Sequence, residues 1–161
     1  MPPPFPISLL QQREIEARIV GPLFRAFAAE VGDEKAREIL LTVVRQLARD
    51  AGCQSAQSLG GNSLTHLTQA VEHWRKGDAL ELEVIRSDDE NFQFNVTRCR
   101  FAEMYREIGL EDLGSLLSCS RDAAMIEGFN PAIELNRPKT LMMGHSHCDF
   151  HFRKNSADIP A

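Results

Sequence analysis

The apolar side chains of this chain change their spacing near residue 80, and that change constrains the fold more than any other feature. Before it they recur at helical intervals. After it Leu80, Leu82 and Val84 alternate with charged residues, and Phe92, Phe94 and Val96 alternate again. The polar stretch from Ser87 to Asn91 separates the two runs, which predicts a β-hairpin with one buried face. Helical spacing then resumes. The expected class is α+β, a helical N-terminal half followed by an antiparallel sheet with helices packed on one face.

The helical half divides at its caps and glycines. Ser8 is a good N-cap, and Leu9, Ile15, Ile19, Leu23, Phe27 and Val31 follow at close to helical spacing. Gly21-Pro22 inside that run predicts a kink or a division. Gly32 closes the helix, and Asp33 can cap a second one whose Ile39, Leu40, Val43, Val44 and Leu47 form one broad stripe, ended by Gly52. Cys53 to Asn62 reads as a small-residue loop or weak helical turn, with Asn62 capping a third helix of Leu64, Leu67, Val71 and Trp74. His66 and His73 on that helix read as solvated or partly packed histidines.

After the hairpin, Phe101, Met104, Tyr105 and Ile108 mark a helix ended by Gly109, and Leu113, Leu116, Leu117, Met125 and Ile126 mark another ended by Gly128. Asn130-Pro131 turns the chain into a strand, Ile133 to Asn136. Leu141 to Met143 reads as a short buried strand broken by Gly144, and Cys148 to Phe152 as a half-buried one. On that last strand Cys148, Phe150 and Phe152 share one face, Asp149 and His151 the other. The expected organisation is a disordered Pro-rich arm at 1–7, one domain at 8–154 and a flexible tail at 155–161.

A formal net charge of −5 without a basic stripe argues against nucleic acid. No apolar run approaches membrane-spanning length and no secretory signal is visible, so the expectation is no membrane partner and a cytoplasmic protein. Cys53, Cys99, Cys119 and Cys148 are widely spaced without a C-x-x-C, which disfavours both a disulfide framework and a zinc ribbon. The expected partner is a small-molecule substrate, with a homo-oligomer left open.

Chemistry concentrates in the second half. Cys99 stands where strand passes into helix, Cys119 shares a helix face with Asp122, and Cys148 starts the final strand beside His147 and Asp149. Thiol, carboxylate and imidazole together suit either a cysteine nucleophile with acid/base partners or a soft metal site. Against this, free cysteine is often just a small buried hydrophobe.

The run from Asn95 to Gly109 around Cys99, the Leu-Ser-Cys-Ser-Arg-Asp segment ending at Asp122, Gly128-Phe-Asn-Pro131, Arg137 with Thr140-Leu141, and Gly144-His-Ser-His-Cys-Asp-Phe150 together resemble the L-2-amino-thiazoline-4-carboxylic acid hydrolase family. The resemblance covers most of the chain. Family members often carry Arg directly after that Phe; here His151 stands there and Arg153 comes two residues later. The implied reaction opens a cyclic isothiourea to N-carbamoyl-L-cysteine. Cys119 would attack, with Cys148 and Cys99 as the other catalytic thiols, Asp122 would hold the substrate nitrogens and His147 would move protons. Arg137 would pair bidentately with the substrate carboxylate, and Asn130 and Asp149 would complete the binding site. Zinc held by the cysteines with His145 and His147 is the rival route. The order of elements also resembles the 4-vinyl reductase-type domains, which implies a non-catalytic small-molecule or metal-binding module as the alternative.

Overall fold

The computed structural model describes residues 7–155. The arm and the tail expected from the sequence therefore lie, apart from Ile7 and Asn155, outside the described residues. Helix α1 (Leu9–Val31) starts at Ser8, whose side chain accepts from the Gln11 amide while the Gln11 side chain accepts from the Ser8 amide. Pro22 is accommodated without division. Helix α2 (Asp33–Leu59) follows at once, and α3 (Leu64–Trp74) is capped by Ser63 in place of the expected Asn62. His66 closes that cap, with its Nδ1 2.7 Å from the Ser63 hydroxyl.

Strands β1 (Leu80–Ser87) and β2 (Asn91–Cys99) form the expected hairpin. Helix α4 (Arg100–Glu107) continues directly from β2, and α5 (Glu111–Gly114) leads through a π-helical turn (Ser115–Cys119) into α6 (Ser120–Phe129). Strand β3 (Ile133–Asn136) and strand β4 (Cys148–Lys154) complete the sheet. All pairings are antiparallel, in the order β1-β2-β4-β3.

The register of β2 on β4 sets Phe94 opposite Phe150, Phe92 opposite Phe152 and Val96 opposite Cys148. Those six side chains form the buried face of the sheet, with Phe94 stacked on Phe150 at 4.8 Å between ring centroids. Leu67, Val71, Ile126 and Phe129 from α3 and α6 close over them. The hairpin's buried face belongs mostly to β2. On β1, Leu80 and Leu82 are half-buried, while Val84 is 56% exposed on the open edge.

Three sequence expectations change. Leu141–Met143 is a 3₁₀ turn, not a strand: the Thr140 hydroxyl caps it by accepting from the Met143 amide, and Gly144 ends it at φ 88°. Gly52 does not end α2, and Gly128 lies inside α6. Both glycines are contact points, because a Cβ on Gly52 would stand 2.0 Å from the Met125 carbonyl oxygen and one on Gly128 2.0 Å from that of Arg49. Finally, the large side chains Ile15, Ile19, Leu23, Phe27 and Val31 face away from the core. The inward face of α1 is Ala17, Gly21 and Phe24, with the Leu110 side chain filling the space above Gly21.

Candidate functional site

A cavity of about 780 Å³ lies between the helices and the sheet. Its lining carries Cys99, Cys119, Asp122, Arg137 and Cys148, together with the apolar Trp74, Leu80, Phe101, Met125 and Phe150. The thiols arrive from three elements. Cys99 is the residue preceding α4, Cys119 is the last residue of the π-turn, and Cys148 opens β4.

The π-turn positions Cys119. Widening one helical turn misaligns its carbonyls from their usual amide partners, so other groups must serve them. The Arg121 Nε donates to the Leu117 carbonyl at 2.8 Å, and the Ser120 hydroxyl donates to that of Leu116. Arg137 Nη2 donates to the Cys119 carbonyl at 3.0 Å. Tyr105 and Ser118 share a hydroxyl–hydroxyl hydrogen bond of 2.9 Å beneath the turn.

Arg137 also donates through Nη1 to Asp122 Oδ2, and its guanidinium lies over the Phe150 ring, 5.0 Å from the centroid. Both Nη groups are thus engaged within the chain, so the expected bidentate grip on a substrate carboxylate is not free. Arg137 Nε remains buried without a hydrogen-bond partner. A second basic cluster, Arg13 and Arg121 around Glu16 at 2.7 and 3.5 Å, stands nearby on α1 and α6, and both arginines line the cavity.

All three thiols hold their protons tightly. Burial pushes Cys119 up to about 12; the charge of Asp122 adds to this and Arg137 opposes it. Burial pushes Cys99 to about 11, against the pull of the Ala102 and Phe101 amides at the start of α4. Cys148 is also raised by burial, although the Leu141 amide donates to its sulfur at 3.2 Å. Burial raises Asp122 as well, more than the neighbouring Arg137 lowers it.

The remaining sequence candidates do not line the cavity. His147 is bound to the Ser146 hydroxyl at 2.9 Å, and His145 turns onto the Thr140 carbonyl at 3.2 Å. Asp149 accepts from the Lys139 amide at 2.7 Å, and Asn130 fastens the Asn62 carbonyl and the Ala132 amide, each at 2.9 Å. These four residues hold loops in place. His151 bonds Asn91 at 2.9 Å and Arg153 pairs with Glu134 at 3.3 Å, so neither stands in for the missing arginine at the cavity. The imidazole that does line it is His73 on α3, near Gln12, Gln69 and Lys76. Its placement follows from Trp74 beside it packing toward the sheet, a signal the sequence carried only weakly.

Among the described residues no group of three or more His, Cys, Asp and Glu side chains could hold a metal ion, so the zinc alternative lacks a donor set. No described helix is long and apolar enough to cross a membrane.

Comparisons with known proteins agree with this architecture. Residues 12–152 match the profile of a family described as L-2-amino-thiazoline-4-carboxylic acid hydrolase. No curated protein matches by sequence. Among solved structures, the chain is similar to the phenol-responsive sensory domain of the transcription activator PoxR bound to phenol, with a TM-score of 0.52 and 14% identity over 84% of this chain and 73% of that one. At that identity the likeness is one of fold.

Proposed function

The chain belongs to the L-2-amino-thiazoline-4-carboxylic acid hydrolase family, and from that premise we propose that its cavity binds a cyclic amidine or isothiourea and opens the ring through a cysteine thiol. The observation that carries this reading is the shared wall of Cys119, Asp122 and Arg137 inside one cavity. Asp122 can accept from the exocyclic N–H of a neutral amidine, leaving the ring nitrogen unprotonated, with Arg137 favouring the ionised form of Asp122 against the burial that disfavours it. Arg137 acts as a positioning residue.

With its proton held up to about 12, Cys119 rests as a thiol, and no histidine stands beside it to act as base. The substrate itself is the available base. Its ring nitrogen takes the Cys119 proton as the sulfur attacks the carbon between ring nitrogen and ring sulfur. The ring C–S bond then breaks, and the departing sulfur leaves with that proton as a free thiol. An S-linked isothiourea remains on Cys119. Water adds to its carbon, the enzyme C–S bond breaks, and Cys119 recovers a proton from the water as the urea product leaves.

The test is to count thiol released by the purified protein from L-2-amino-thiazoline-4-carboxylate. Cys119→Ser should lose several powers of ten in kcat with the fold intact. Cys148→Ser should lose far less, since its sulfur is tied to the Leu141 amide. A change of only a fewfold in Cys119→Ser removes that residue and moves the role to Cys99. A second reading, a ligand-binding module without turnover, draws on the raised proton affinity of all three thiols. Binding of the compound without any thiol release would favour it over the hydrolase.

A further inference from the structure

Helices α1 and α2 carry apolar rows that nothing among the described residues covers. Ile15, Ile19, Leu23, Phe27 and Val31 on α1, and Ile39, Val43 and Leu47 on α2, are between 39% and 65% exposed. Scattered exposed apolar residues are ordinary. Eight on two helices that are joined through Gly32 and share one core cluster form a patch.

We propose that this face is the dimer interface between two copies of the chain. Size supports that occupant: scaled by ordinary side-chain areas, the exposed fractions amount to roughly 700 Å² per copy, close to the ~800 Å² each partner gives to a stable interface. Pattern supports it too. Within each helix the residues repeat at intervals of four, so each row is a continuous i±4 ridge. Two such ridges interdigitate at about −50°, and a two-fold axis brings each ridge onto its equivalent. Charge points the same way. Most cations beside the rows are paired within the chain, Arg18 to Glu14 and Arg25 to Asp112 at 2.7 Å and Lys35 to Glu38 at 2.8 Å, and Arg45 alone, on α2, is exposed without an ion pair among the described residues. A helix that lies on anionic lipid instead presents unpaired Lys and Arg beside its apolar face. A partner of different chemistry has little here to recognise except apolar shape.

The cavity does not involve the patch: α1 contributes Leu9, Gln12 and Arg13 to its lining, and none of the eight exposed residues takes part. The interface can therefore form with the cavity accessible.

The experiment is sedimentation equilibrium of the full chain at micromolar concentration, alone and with anionic vesicles. The wild type should run at twice 18.1 kDa. Ile19→Glu/Leu23→Glu should weaken association by roughly 100-fold or more, since each copy would bury charge against an apolar ridge, with circular dichroism unchanged. Val43→Lys on the other ridge should act in the same direction. Should the charged pair fail to fold, Ile19→Ser/Leu23→Ser gives the same readout. A wild type that stays monomeric at those concentrations overturns the proposal, as does a dimer that the folded variants leave intact. A monomer that floats with vesicles overturns it in favour of lipid. Thiol release is scored separately, so failure of the ring-opening chemistry and failure of the dimer are distinct results.

Discussion

Arg137 and Asp122 face each other across the cavity wall, one from the segment after β3 and the other from α6, and are joined by a direct ion pair. The pair is more than a surface contact, because its side chains are only 14% and 23% exposed. Removing Arg137 would leave the Asp122 charge buried and also release the Cys119 carbonyl from its donor. Arg137→Met is expected to cost about 3 kcal/mol or more, measured by urea denaturation at neutral pH. Arg137→Lys should rescue little, since an ammonium cannot span the carboxylate and the carbonyl while lying flat on Phe150. Adding Asp122→Asn to Arg137→Met should recover much of the stability. A loss below about 1 kcal/mol for Arg137→Met would place the pair among the weak surface bridges.

Gly52 and Gly128 make a second prediction. Each lets the backbone of one helix touch that of the other, and a methyl group at either site would meet main chain, which cannot rotate away. Gly52→Ala and Gly128→Ala should each cost about 3 kcal/mol by forcing α2 and α6 apart. Gly60→Ala is the control. It meets nothing within 4 Å and strains only its φ of 72°, so about 1 kcal/mol is expected. Equal losses at all three positions would mean that backbone conformation, not close approach, decides the effect.

These glycines also mark where the sequence could be read and where it could not. Helical periodicity located α1 and α2 and their apolar rows, but not which way those rows face. Periodicity reports a face; it does not say whether that face meets this chain or another surface. The inward faces of both helices are built mostly from small residues, Ala17 and Gly21 beside Phe24 on α1 and Ala36, Ala48 and Gly52 beside Val44 on α2, and a search for large side chains passes over the small ones. The site divides along a similar line. Strand alternation aims Cys148 inward and helix spacing sets Asp122 near Cys119, but a β-bulge at Thr97 brings Cys99 to the cavity, the π-turn places Cys119 and Arg137 reaches in from the segment after β3. Asp149 and His147 are neighbours of Cys148 in sequence only. The alternation of β4 that buries Cys148 turns Asp149 to the opposite face, where it holds Lys139.

The raised thiols predict a pH dependence. The folded state keeps the Cys119 and Cys99 protons up to about 12 and 11, whereas the unfolded chain releases them near the ordinary value of 9.0. Above pH 9 the native state therefore binds more protons than the unfolded state, and stability must fall as pH rises toward 12. The contribution is complete below the ordinary thiol value. Buried Tyr105 is raised in the same direction, so the comparison that isolates the thiols is with Cys99→Ser and Cys119→Ser. Urea midpoints should drop less steeply above pH 9 in each variant than in the wild type. Alkylation of Cys99 and Cys119 by iodoacetamide in the native state should likewise stay slow at pH 9, where an exposed thiol such as Cys53 reacts readily. Fast alkylation of Cys119 at neutral pH would contradict the proton placement and favour a resting thiolate.

The last prediction concerns ligand size. At about 780 Å³ the cavity is of the volume that encloses a drug-sized molecule, much larger than a five-membered ring bearing one carboxylate. Beside the thiols and the Asp122–Arg137 pair, Trp74, Leu80, Phe101 and Met125 offer apolar surface in the same lining. A cyclic amidine carrying an aryl or alkyl extension can place its ring against Cys119 and Asp122 and its extension along that surface. Such a compound should bind at least about 10-fold more tightly than the unextended ring, each buried methylene adding up to about 0.8 kcal/mol. The gain should appear as a larger rise in melting temperature at equal ligand concentration. Ser55→Trp, which places an indole in the cavity from α2, should remove the advantage of the extended compound and leave binding of the small ring unchanged. Equal shifts from both compounds in the wild type would mean that the apolar surface takes no part in recognition, and would confine the ligand's contacts to the polar groups.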